Sequence, residues 1–208
     1  MNPRSSRRNT CTGGAPREMK NKEKKLDPVP HVTRVVSTLT ALYTNADCVM
    51  NKRSELENLI TSNRYKPDII GIVEVKAKSC KHRPLISELA IQGYDTNYTN
   101  IDGITGREVI LYTAAWLKAS PYTPGHACQE STWVKMKLQD KDSLIIGCIY
   151  RSPSSSSTND EDICHQIKSV CSDKDATNVL ILGDFNYPDI NWECWSITSD
   201  YGSDKKIP

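Results

Sequence analysis

Phenylalanine occurs once in 208 residues, and aromatic residues make up only 7% of the chain. No apolar run approaches the roughly 18 residues needed to span a bilayer. The longest candidates, Leu144–Ile149 and Val179–Leu182, are the length of buried strands. A basic N-terminus without an apolar stretch behind it is not a secretory signal, so the expected location is intracellular, not secreted. Glycine and proline number 10 and 11, too few for a collagen. There is no G-x-S-x-G nucleophile elbow and no glycine-rich phosphate loop. The eight cysteines contain no C-x-x-C pair, which removes the usual zinc spacing and favours free thiols. His31, His82, His126 and His165 lack a shared spacing that would mark a metal cluster or a general base.

Charge is nearly balanced, with 27 basic against 25 acidic residues, but it is unevenly spread. Arg4, Arg7, Arg8, Arg17, Lys20, Lys22, Lys24 and Lys25 face only Glu18, Glu23 and Asp27 in residues 1–30. This segment reads as a disordered basic tail, because it cannot bury enough apolar surface to offset its ordering entropy. It suits a solvated tail, a nuclear-localisation signal or a non-specific nucleic-acid arm equally. The body, residues 31–208, is slightly acidic and forms the expected folded domain. Mean hydropathy is −0.53.

Within the body, apolar runs alternate with amphipathic ones. Strands are expected at Val35–Tyr43, Asp68–Val75, Glu108–Tyr112, Trp133–Leu138, Ser143–Tyr150 and Asn178–Leu182, the last of them buried. Helices are expected at Asn51–Arg64, near Leu85–Ile91, and at Thr158–Ser172. In the last, Thr158 and Glu161 read as a capping box, and Ile163, Ile167, Val170 and Cys171 as the buried stripe, with Cys164 beside it. From Gly93 the chain reads as irregular. Val134, Met136 and Leu138 alternate with Lys135 and Lys137, giving one wet face. Mixed strands and crossovers place the chain in the α/β class.

Polar residues punctuate the C-terminal ends of these strands, where α/β folds place binding groups. Asn45 follows the first strand. Glu74 ends a buried run that would otherwise take another valine; such a carboxylate pairs with a divalent cation or, more blandly, with Lys76. Tyr150 and Arg151 precede a Pro-fixed loop and can donate to phosphate oxygens. Gly183-Asp184-Phe185-Asn186 can orient a water, or can simply close an Asx-type turn.

Taken in order, Tyr43-Thr44-Asn45, Pro67 to Glu74 (PDIIGIVE), Ile149 to Pro153 (IYRSP) and Leu180 to Asn186 (LILGDFN) resemble the endonuclease/exonuclease/phosphatase superfamily. Tyr187 to Trp192 (YPDINW) is most similar to endonuclease domains of non-LTR retrotransposons, usually fused to a reverse transcriptase. The resemblance implies a deoxyribonuclease-like two-sheet sandwich flanked by helices, a four-layer arrangement acting on DNA. It implies a metal site at Glu74 for Mg²⁺ or Mn²⁺. Asn45 supports that site and the phosphate, Tyr150 contacts the scissile phosphate, Asp184 activates water, and Asn186 holds phosphate or water. Arg151 joins Asn45, Tyr150 and Asn186 as a substrate-binding group. Relatives continue to a Ser-Asp-His motif, whereas Tyr201–Pro208 holds no histidine. The expectation is therefore a domain incomplete at its C-terminus, poorly stable and nearly inactive. The glycine-rich stretch before the middle strand is reduced to Gly106-Arg107-Glu108-Val109. A phosphatase of the same fold and a non-catalytic nucleic-acid-binding remnant are the competing readings; YPDINW speaks against the former.

Overall fold

In a computed structural model, residues 38–62, 66–76, 84–99, 108–187, 190–191, 193–194 and 196–197 are described. The basic tail, Val35, Val36, Cys11, Cys80, His31, His82, Gly106, Arg107, Trp192 and Tyr201–Pro208 lie outside them.

Strand β1 (Ala41–Asn45) leads into helix α1 (Val49–Ser62) and returns parallel in β2 (Ile69–Val73). After α2 (Ile86–Leu89) come β3 (Tyr94–Thr99) and β4 (Val109–Ala114), completing a four-stranded sheet in the order β1-β2-β4-β3. Short β5 (Ser120–Pro121), β6 (Ser131–Lys137), β7 (Ser143–Tyr150) and β8 (Asn178–Asp184) form a second sheet in that order. Helix α3 (Ser157–Cys171) makes the crossover between parallel β7 and β8. A two-residue pairing of β9 (Ile190–Asn191) with β10 (Ser196–Ile197) follows.

The two sheets pack face to face. Val134, Met136, Leu144, Ile146, Cys148 and Tyr150 point from the second sheet into a core shared with Ile69, Val73, Val109 and Leu111. Alternate residues Trp133, Ile145 and Ile149 point the other way, against Ile163 and Val170 of α3. Helix α1 covers the far side of the first sheet, Leu56 and Ile60 joining that core. The order is helix, sheet, sheet, helix, the sandwich expected from the motifs. Two glycines permit its close approaches. A Cβ at Gly147 would lie 2.3 Å from the Trp133 ring, and one at Gly71 would lie 3.1 Å from Cys148 Sγ.

Five expectations change. The stretch after Gly93 is not irregular: Tyr94–Thr99 pairs along β4 as an edge strand, whose half-exposed polar residues hide the strand signal. The N-cap of α3 is Ser156, whose Oγ accepts from Asn159 N at 3.2 Å, and not Thr158. Cys164 and Cys171 are exposed, while Gln166 takes the buried place because its Oε1 accepts from Trp133 Nε1 and Ser131 Oγ. Trp133, opposite the side of Val134 and Met136, is buried under α3 rather than wet. Strand β8, expected to be buried, is only half-buried along its length, since it is an edge strand among the described strands of its sheet. The described cysteines are free thiols. Among the described residues no helix is long and apolar enough to cross a membrane.

Candidate active site

Strands β1, β2, β7 and β8 all end at the same end of the sandwich. Parallel pairing within each sheet brings Asn45 beside Val73 and Tyr150 beside Asp184. The four polar punctuations of the sequence therefore converge.

Glu74 follows a strand whose five residues are all buried, and its backbone turns into the left-handed region at φ +51°. That turn aims the carboxylate across the sandwich, where its Oε1 accepts the Tyr150 hydroxyl at 2.6 Å. Lys76, the alternative partner, lies 3.9 Å from Glu108 Oε1, both side chains being buried. Tyr150 itself is almost fully buried. Burial, then the hydrogen bond and charge of Glu74, push its phenol well above the usual range, so it stays a donor at neutral pH.

Asp184 ends β8. Its Oδ2 receives Asn45 Nδ2 at 3.4 Å, and its Oδ1 receives the Asn186 amide at 3.1 Å. Asn45 Oδ1 in turn accepts Asp47 N at 3.2 Å. Gly183 serves close approach: a Cβ there would sit 2.1 Å from Ile149 O. Tyr43, Asn45, Pro153, Gly183, Asp184, Phe185, Asn186 and Tyr187 line a cleft of about 690 Å³.

Arg151 stands differently from the expectation of a phosphate ligand. It is buried, its Nε and Nη2 clamp both oxygens of Asp160 at 2.7 and 2.9 Å, and Nη1 donates to Asn186 O at 2.8 Å. The guanidinium also lies over the Tyr187 ring, 4.1 Å from its centre. Its backbone N donates to Asp184 O, and its backbone O accepts Asn186 Nδ2 at 2.7 Å. Asn186 is thus held at φ +45° with one amide hydrogen directed into the protein. The bond from Arg151 keeps the Asp160 carboxyl below its usual range, against a smaller opposing push from burial. Asp160 escaped sequence reasoning; its only signal was the i, i+9 separation from Arg151 across a serine loop.

His126 and His165 meet edge to face, 5.3 Å apart, with His126 Nε2 on Asp162 Oδ1 at 2.9 Å. Neither lines the cleft.

The donor set is hard oxygen: two carboxylates and two amides. Among the described residues there is no group of three or more His, Cys, Asp or Glu side chains able to cage a metal. The donor set fits a cation held by one or two carboxylates, with water and substrate phosphate completing its shell.

A family model described as endonuclease-reverse transcriptase matches residues 144–205. The match bears out the superfamily resemblance read from the motifs. It spans β7, α3 and β8, and so Tyr150, Arg151, Asp184 and Asn186. Asn45 and Glu74 lie before it, and the fold carries them to its residues. No curated protein matches the chain.

Proposed function

We propose, taking the endonuclease-reverse transcriptase family of residues 144–205 as premise, that this domain hydrolyses phosphodiester bonds in DNA with the help of Mg²⁺ or Mn²⁺. The observation that carries the reading is the pair of contacts linking the two halves of the site. Glu74 meets Tyr150 and Asn45 meets Asp184, although 76 and 139 residues separate them in sequence.

In this reading Glu74 would hold the cation, which neutralises charge on the phosphoryl oxygens. Tyr150, protonated at neutral pH, keeps the Glu74 carboxylate oriented at rest and would turn its single hydroxyl hydrogen to the scissile phosphate when substrate binds. Asp184 accepts the proton of a water in the cleft, its orientation set by Asn45 and the Asn186 amide. Arg151 works as a positioning residue, holding Asn186 from behind through Asp160. A nick in target DNA would then prime the reverse transcriptase expected as a partner domain.

Nicking of supercoiled plasmid is the test. Wild-type protein with Mg²⁺ is expected to convert supercoiled to open-circular DNA slowly, as an impaired enzyme, and both EDTA and Glu74→Ala to stop it. Nicking that persists in Glu74→Ala, or a wild-type chain that never nicks, overturns the reading.

A further inference from the structure

Tyr43 sits two residues before Asn45, on the same inward face of β1. Asn45 reaches Asp184 at 3.4 Å, and Tyr43 is the next side chain along that face. The Tyr43 hydroxyl is sealed from solvent and has no hydrogen-bond partner among the described residues. Its ring forms part of the cleft wall alongside Asn45 and Asp184. Burial is the main cause of a phenol held far above its usual range, and Asp184 is the strongest of the charges that add to it, before Cys148, Glu74 and Tyr150. A second orphaned hydroxyl, Thr113 Oγ1, lies at the opposite end of the first sheet, across from Ile69. Buried donors are almost always satisfied, so one left unpaired amid a polar site is a strain that function can use.

We propose that Tyr43 is a positioning residue whose hydroxyl, unpaired at rest, donates to the Asp184 carboxylate when a divalent cation enters the cleft. Asp184 Oδ2 takes one long bond, from Asn45, and a carboxylate oxygen keeps a further lone pair for this donor. The bond would fix the carboxylate as it takes the proton from water. The inference rests on the reading of Asp184 as the water-activating group.

Tyr43→Phe deletes the hydroxyl and leaves the ring. In the metal-free protein it removes an unsatisfied buried group, so Tm is expected to rise by about 2–4 °C. With saturating MnCl₂ the further rise is expected to be smaller in the variant than in the wild type, since only the wild type gains the bond. In plasmid nicking, kcat is expected to fall about tenfold with KM within about twofold. A raised Tm with equal manganese response and unchanged kcat would make the hydroxyl a packing defect and overturn the proposal. So would a lowered Tm or failure to fold, which would mean that the hydroxyl is already paired at rest. Should the wild type not nick, the nuclease reading fails, while the two thermal measurements still decide the role of Tyr43.

Discussion

The site has a central half and an edge half, and they are built to different tolerances. Glu74 and Tyr150 leave β2 and β7, strands buried along their whole length and flanked on both sides. Their bond is short, at 2.6 Å. Asn45 and Asp184 leave β1 and β8, outer strands of half-exposed residues, and their bond is long, at 3.4 Å. Close packing on both faces gives the central pair no alternative position. Edge strands lack that confinement, so the second pair depends on local devices. These are the Arg151–Asp160 clamp, the Asn186 turn and the close approach at Gly183. A cation grip gains from rigidity, whereas a group that must take a proton gains from a small adjustment on loading.

The edge half is the easier to break. Gly183→Ala places a methyl group against Ile149 O and prises β8 from β7 next to Asp184. The expected cost is about 3 kcal/mol in denaturant unfolding, with nicking lost as well. An unchanged midpoint would show that β8 is not held by that approach. Asp160→Asn comes next, at about 2 kcal/mol near neutral pH. The Asp160 carboxyl titrates below its unfolded value, so its contribution is present above about pH 4 and fades as pH falls through the folded value. The gap between wild type and variant should therefore close in acid; a gap that widens there would mean that the clamp is not ionic. The smallest effect separates the halves directly. Tyr150→Phe should cost about 1 kcal/mol and Asn45→Ala about 0.3 kcal/mol, tracking bond length and burial. A reversed order would erase the distinction between centre and edge.

Much of the fold was legible because burial leaves a mark on composition. β7 spans Ser143–Tyr150 as expected, and the expected β2 and β4 agree within two residues at each end, since strands buried on both faces read as continuous apolar runs. β3 was not legible: Tyr94, Asp95, Thr96, Asn97, Tyr98 and Thr99 carry no such mark, and only pairing with β4 makes them a strand. Gln166 shows the same limit in a helix. Its burial follows from the donors of Trp133 and Ser131, which lie 33 and 35 residues away. In the site, Asn45, Glu74, Tyr150 and Asp184 announced themselves as polar residues closing apolar runs. Arg151 did too, but its direction could not be read, because the carboxylate that turns it inward belongs to the next helix.

Residue order alone settled the buried runs of β2, β4 and β7 and which polar groups stand at the ends of the apolar runs. It did so because hydrophobic periodicity and strand ends are local properties of the chain. Which polar groups touch was decided by the stacking of the two sheets. Glu74 reaches Tyr150 while its neighbour Lys76 lies by Glu108, Arg151 serves Asn186 in place of facing the cleft, and the Tyr43 hydroxyl is left without a partner among the described residues. Such contacts depend on distances across the core, which no single strand contains.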